Sequence, residues 1–336
     1  MPTAFQEGGE VPVRRTAVVL AALVLDLVAG DPPDRWHPVA WVGRLVAWLT
    51  RRAPQTGPRR QLAYGLVVVA AASLAMLGPY RAAERGLRRL PAGRHWPGPW
   101  LRGTLGLALE AALLKSTFAL RGLLRAGAQV QRDLERGDLE QARQHLPALV
   151  SRDTAGLPTE LVASAAVESL AENLTDSVVA PLLAYRLFGL PGAALYRAVN
   201  TCDAMVGYRG RYEYLGKVAA RLDDALNLAP ARLSALLLVA AAPLAGGSLR
   251  GALRILGRDR DATASPNAGW TMSAAAGALG VQLEKADHYR LGDPIQPVTP
   301  ATIAQAGRLV GAAVGLAVGL LALWEGRRYA GVSPPR

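Results

Sequence analysis

Thiol chemistry is almost absent from this chain: Cys202 is its one cysteine in 336 residues. That excludes an internal disulfide and any zinc cage built on thiolates. No histidine lies near Cys202 in sequence, so it reads as a small apolar filler rather than a nucleophile. The four histidines are scattered and form no H-x-x-H or HExxH pair, which excludes a histidine-built metal site. Lysine is scarce too, with Lys115, Lys217 and Lys285 the only three among 38 basic residues. The arginines cluster beside apolar runs, as the positive-inside tendency places them, and form no reading surface. A formal net charge of +12 therefore does not point to nucleic acid as a partner. There is no G-x-x-x-x-G-K-[ST], hence no P-loop, and no G-x-S-x-G to seed a Ser-His-Asp triad. Charged residues make up only 19% against 51% hydrophobic, a balance that leans towards the lipid bilayer.

What is present is a series of apolar runs separated by Arg-rich connections. They predict an all-α, polytopic integral membrane protein with about four to five membrane helices and large helical cytoplasmic loops. Residues 1–12 read as a disordered start, and 13–336 as a single polytopic membrane domain. Arg14 and Arg15 precede an apolar run, Thr16 to Gly30, that has the outline of a signal peptide. Asp26 interrupts it and no clean cleavage site follows, so it reads as a retained helix, just long enough to span. Leu62 to Pro79 is the cleanest span, uncharged throughout. Gly103 to Leu124 forms a third run carrying Glu110, Lys115 and Arg121, ionisable groups that default to a functional hypothesis inside lipid. Leu233 to Gly247 is short and broken by Pro243; a re-entrant hairpin is favoured over a thin crossing, because loops that build one site must share a side. Ile303 to Trp324 is a strong final span. Trp36, Trp41 and Trp48 suit an interfacial belt.

The region 126–230 reads as the main active-site helical loop region. Within it Glu168, Glu172 and Asp176 recur every four residues, which stacks three carboxylates on one helix face. Like charges at that spacing repel, so the column needs a divalent cation or a cationic substrate group, or else is simply a solvated polar face. Asn173 and Thr175 add oxygen donors nearby. A following helix carries Arg197, Asn200 and Asp203, and the aromatic loop from Gly207 to Lys217 leads to Asp223 and Asp224. Upstream, Pro32 and Pro33 fix a turn on which Asp26, Asp31, Asp34 and His37 converge. Cations interleave with the carboxylates: Lys115, Arg121, Arg152, Arg197, Arg209 and Lys217. Carboxylates for Mg²⁺ and cations for phosphate oxygens is the division of labour of phosphoryl transfer. The residues alone reach a membrane enzyme or transporter with an acidic metal or amine site.

Six blocks carry the reading further: DLVAGDPPDRWHPVAWVGRL, KSTFALRGL, SRDTAGL, VESLAENLTDSVVAPLLAY, LPGAALYRAVNTCDAMVGYRGRYEYLGKVAARLDDALN and SPNAGWTMSAAAGALGVQL. They closely resemble, in the same order, the adenosylcobinamide-phosphate synthase family of cobalamin biosynthesis, from Asp26 to Gly292. The resemblance implies a multi-pass protein of the cytoplasmic membrane that uses ATP and Mg²⁺. It would join aminopropanol phosphate, or aminopropanol, to the propionate carboxyl of adenosylcobyric acid as an amide. Glu168, Glu172, Asn173 and Asp176 match the family's acidic block, and are expected at Mg²⁺ and the nucleotide phosphates. Asp203, Asp223 and Asp224 are expected as metal ligands or to orient the amine, with Asn200 beside them. Lys115, Arg152, Arg197 and Arg209 are expected to stabilise phosphate charge. Asp31, His37, Ser265 and Asn267 are expected to line the corrinoid or nucleotide mouth. Cys202 stands where the family more often has an aliphatic residue, in keeping with a filler. Handover of so large a corrinoid points to other corrinoid-pathway enzymes as partners, and the chain admits a homo-oligomer. The competing readings are a non-catalytic membrane sensor or transport protein of the same fold, and a cation transporter using the acidic helix.

Overall fold

In the computed structural model the described residues are 7–89, 98–208, 210 and 212–330. Regular structure among them is helical apart from one short hairpin, and four segments are long and apolar enough to cross a membrane. The chain is thus all-α and polytopic, as its sequence predicts. It divides into two compact units, one from Met1–Ala119, Pro181–Ala225 and Gly319–Arg336, the other from Leu120–Ala180 and Leu226–Val318.

The first unit opens with α1, Glu7–Ala29. Helix therefore replaces the expected disorder from residue 7 onward, while residues 1–6 lie outside the described residues. Val18, Val19, Ala22 and Leu23 are buried, and Val24, Leu27 and Val28 on the other side are exposed. After Pro32 and Pro33 a turn, closed by the Trp36 N–H donating to the Pro33 carbonyl at 2.8 Å, leads into α2, Pro38–Thr50, whose first free N–H, that of Val39, donates to the Nδ1 of His37 at 3.2 Å. Trp36, Trp41 and Trp48 all face outward, as a belt requires. Pro58–Arg88 forms α3 and Gly98–Lys115 forms α4, which packs along α1.

The expected third run, 103–124, does not stay one helix. Ser116 and Thr117 turn their hydroxyls back onto the carbonyls of Leu113 and Leu114, both at 2.7 Å, and end α4. Its last residues start α5, Leu120–Glu135, a strongly amphipathic helix of the second unit. There α6, Leu139–His145, precedes α7, Thr159–Leu174, which is buried on nearly every side by α5 and by later elements. Thr175–Val179 widens into a π-helical turn before α8, Ala180–Val206, returns to the first unit.

The apolar segment Thr159–Val206 is 48 residues long, more than twice what one crossing needs. Its break is Gly189, at φ 72°, ψ −165°. No Cβ fits there, against Glu84, and Arg15 donates to the freed carbonyls of Arg186 (2.8 Å) and Leu187 (3.2 Å).

Helix α9 runs unbroken from Lys217 to Ala241 and a 3₁₀ turn extends it to Ala245. The run 233–247 is therefore not a short re-entrant piece; it is the second half of a helix whose first half carries Asp223 and Asp224. Polar residues in that first half hid its length. The second unit continues with α10 (Leu249–Asp259), α11 (Ala268–Leu279), strands β1 (Leu283–Lys285) and β2 (Tyr289–Leu291), and α12 (Pro300–Ala330). The strands pair antiparallel, with Leu283 opposite Leu291 and Lys285 opposite Tyr289.

Candidate functional site

In the second unit the acidic helix α7 is the centre of a polar network. Glu168 is buried at 5% exposure, and both its oxygens are engaged. Oε1 accepts from the Ser164 hydroxyl and Oε2 from the Tyr289 hydroxyl, each at 2.8 Å, with the Arg152 guanidinium 3.8 Å away. Ser164 sits one turn before Glu168, and its Oγ also accepts from the Glu284 backbone N–H at 2.8 Å, tying β1 to α7. Burial, and then the Glu168 carboxylate beside it, push the Tyr289 phenol above its ordinary value, so it remains a donor.

One turn on, Glu172, Asn173, Asp176 and Ser177 are half-exposed, while Ala171, Leu174, Thr175 and Val178 between them are buried. Asn173 is held in register by donating to the Ser169 carbonyl at 3.0 Å and accepting from Ser177 at 3.3 Å. The π turn begins at the next residue but one, and such turns in helices are frequent at functional sites. The predicted column is thus two different things: a locked carboxylate, Glu168, and an accessible pair, Glu172 and Asp176.

No three His, Cys, Asp or Glu residues among the described ones come together in a group that could hold a metal ion. Glu168, Glu172 and Asp176 therefore do not form the three-carboxylate cage their spacing suggested, because Glu168 is committed to Ser164, Tyr289 and Arg152. Mg²⁺ needs less when it arrives on phosphates: one or two carboxylates, with water and phosphate oxygens completing the octahedron. Glu172 and Asp176 suit that use.

Ser265 and Asn267 belong to the same unit. The Ser265 Oγ accepts from the N–H groups of Asn267 (3.2 Å) and Ala268 (3.4 Å) at the start of α11. Asn267 itself accepts from Arg232 at 2.7 Å. An open groove of about 660 Å³ also lies in this unit, lined by Arg250, Gly251, Arg254, Gly277 and Gly280 among others. None of the sequence-predicted site residues lines it.

The first unit gathers two further groups. Lys115, buried at 6% exposure, lies 2.8 Å from Asp26 and 2.5 Å from Asp31. The Nε2 of His37 stands 3.7 Å from the same Asp31 oxygen. Since Nδ1 accepts from Val39, the neutral ring carries its proton on Nε2, facing Asp31. Burial raises the Asp31 carboxyl, but hydrogen bonds from His37 and Lys115 and their charges outweigh it and hold it at about 2. The proline-fixed turn thus does bring Asp26, Asp31 and His37 together. Glu110, which the sequence left without a clear partner, accepts from Tyr185 at 2.7 Å.

The other group runs from α8 to α9. Arg197 donates to Asn200 (3.1 Å), which donates to Asp223 (3.2 Å). Asp203 and Asp224 lie in the same unit, while Arg209 is outside the described residues. Cys202 is fully buried, as a filler should be. Sequence reasoning missed Tyr289 and Arg232. Nothing in the local pattern marks Tyr289, whereas Arg232 could have been found as the lone charge in the apolar second half of α9.

The chain matches the family model described as CobD/Cbib protein over residues 19–310. A protein of Dehalococcoides mccartyi named cobalamin biosynthesis protein CobD is 45% identical over 289 residues, which is 85% of this chain and 89% of that relative. A probable cobalamin biosynthesis protein CobD of Methanothermobacter thermautotrophicus is 43% identical, over 83% of this chain and 87% of its own. The cobalamin biosynthesis protein CobD of Klebsiella pneumoniae is 38% identical, over 92% and 96% respectively. No solved structure matches the chain.

Proposed function

The chain belongs to the CobD/Cbib protein family, and from that premise we propose that it is an amide-forming ligase of cobalamin biosynthesis. It joins (R)-1-aminopropan-2-ol O-phosphate, or aminopropanol itself, to the propionate carboxyl of adenosylcobyric acid at the expense of ATP. The observation that carries this reading is the half-exposed stripe Glu172, Asn173, Asp176 and Ser177, set at a π turn on an otherwise buried helix and backed by the fixed Glu168–Arg152 pair.

A carboxylate does not react with an amine until it carries a leaving group. In the proposed sequence a propionate oxygen of adenosylcobyric acid attacks the γ-phosphorus of ATP and ADP departs, leaving an acyl phosphate. The amine nitrogen then attacks the acyl carbon, phosphate leaves, and the nitrogen loses one proton. Mg²⁺ carried in on the phosphates would neutralise charge that develops during transfer. Glu172 and Asp176 would hold it, and Arg152 would face the phosphate oxygens. Glu168, held by Ser164 and Tyr289, positions Arg152 and Tyr289. Asp203, Asp223 and Asp224 are proposed to orient the amine, with Arg197, Asn200 and Arg209 on its phosphate. Lys115, Asp31 and His37 are proposed for the corrinoid side chains. The cytoplasmic membrane is the expected location, since the apolar helices call for a bilayer and ATP is supplied from the cytoplasm.

The test uses the full chain in detergent or liposomes with adenosylcobyric acid, aminopropanol phosphate and Mg·ATP, following product by mass. Amide should form with the wild type and fall at least about a hundredfold in Glu172→Gln. Folded wild-type protein that makes no amide with either amine would refute the proposal.

A further inference from the structure

Arg232 sits near the middle of the apolar helical segment Lys217–Ala245. A guanidinium in such a helix is costly and requires a counter-charge or a strong acceptor. Its hydrogen-bond partner is the neutral amide of Asn267, and no carboxylate pairs with it among the described residues. Its guanidinium carbon lies 4.5 Å from the centroid of the Trp270 ring, and that of Arg260 lies 5.4 Å from the same centroid. Two cations on one ring repel each other. The ring's quadrupole offsets this only in part. Arg260 does reach a carboxylate, Asp261 at 3.3 Å, but Asp261 is 80% exposed and solvent screens the pair.

The three residues come from different parts of the second unit: α9, the end of α10 and the first turn of α11. The N–H groups at the start of α11 are not what would attract an anion here. Those of Asn267 and Ala268 are taken by Ser265, and that of Gly269 by Thr263 at 3.1 Å. The positive charge is in the side chains. Both guanidinium groups lie over the Trp270 ring, and the bond to Asn267 ties that of Arg232 in place. Planar forks placed in this way present several N–H donors at once, which matches a phosphate group better than a single carboxylate.

We infer that Arg232 and Arg260, both placed over Trp270 and the first of them held by Asn267, form a phosphate-binding subsite. The bound group is a phosphate carrying two or more negative charges. It reaches the site either on the polyphosphate of a nucleotide or on a phosphorylated amine. This deepens the ligase reading and rests on it for those two sources, though not for the chemistry of recognition.

Calorimetric titration of the full chain in detergent, with EDTA present to remove metal contributions, would test it. The probes are tripolyphosphate and aminopropanol phosphate. Wild type should bind at least one, and weaken as salt rises. Arg260→Gln should weaken binding about tenfold, and Arg232→Gln more, the loss expected for a charged hydrogen bond. Because Arg232→Gln alters a half-buried site, Asn267→Asp is the companion variant. It keeps the shape, places a carboxylate on Arg232, and should weaken binding about tenfold by neutralising it. Preference for tripolyphosphate assigns the subsite to the nucleotide, and preference for the other probe to the amine. Undiminished binding in Arg260→Gln and Asn267→Asp, with unchanged thermal unfolding, would overturn the inference, as would a wild type that binds neither probe. The ligation assay is separate: amide formation can fail while phosphate binding follows these variants, or succeed while it does not.

Discussion

Lys115 is a single cation serving two carboxylates, and the two differ in what they risk. Asp26 is sealed from solvent, while Asp31 is half-buried and reaches His37 as well. An aspartate's ordinary value is 3.8 and Asp31 is held at about 2 in the folded chain. A depressed carboxyl stabilises the fold fully above its unfolded value, and loses that contribution as pH falls through the folded one. Between pH 5 and 2 the wild type should therefore lose more thermal stability than Asp31→Asn, followed by unfolding in detergent. Parallel pH profiles would show that the pair contributes nothing. Lys115→Met should cost more, about 3 kcal/mol, since it removes the cation beside a fully buried carboxylate. These residues show why the site was only partly legible. Asp26, Asp31 and His37 lie within twelve positions, and proline told that they turn together. Lys115 is 84 residues from Asp31, and Tyr289 is 121 from Glu168, so only the fold could pair them. The i,i+4 spacing of Glu168, Glu172 and Asp176 was visible, but not that Ser164 and Tyr289 had already claimed the first of them.

Among the described elements, α10 and α11 pack against each other at close quarters, and they do so by leaving out side chains. Gly251 and Gly277 face each other, and a Cβ on either would collide with the other's carbonyl oxygen. Overpacking of this kind costs about 1–3 kcal/mol. Gly277→Ala should lower the unfolding temperature accordingly. Gly257→Ala, in the same α10 but with nothing within 4 Å of its Cβ, should be neutral or stabilise by about 0.5–1 kcal/mol. Equal effects from the two would mean the crossing is loose. At this scale composition was a good guide to class and a poor one to boundaries. Hydropathy joined 103–124 because it cannot see that Ser116 and Thr117 cap their own helix. It cut α9 at residue 233 because Arg221, Asp223 and Asp224 made the first half read as a separate, polar helix. Helix-long averages hide such polar turns, and the π turn at Thr175–Val179 has no hydropathy signature at all.

For the molecule as a whole, the division of apolar surface decides what meets lipid. In Pro58–Leu87 and Pro300–Leu323 only 28% of the apolar window is buried, against 50% and 56% in Thr159–Val206 and Lys217–Ala245. The first two therefore offer most of their apolar surface to something other than protein. On α3 that surface includes Leu62, Leu66, Val67 and Leu74, the last 67% exposed. In water so continuous an apolar face would drive aggregation, whereas in a bilayer it is the expected solvent contact. An arginine placed there discriminates between the two. Leu74→Arg adds a charge to a surface position, which an aqueous face tolerates within about 0.5 kcal/mol. At the centre of a lipid-facing helix the same change costs about 2.5–3.5 kcal/mol of insertion free energy. Leu74→Arg should accordingly reduce the carbonate-resistant, detergent-monodisperse yield several-fold. Leu62→Arg, near the start of α3 where a long side chain can reach the headgroups, should be far milder. Wild-type yield for Leu74→Arg would mean that α3 does not face lipid, and the count of membrane spans would drop with it.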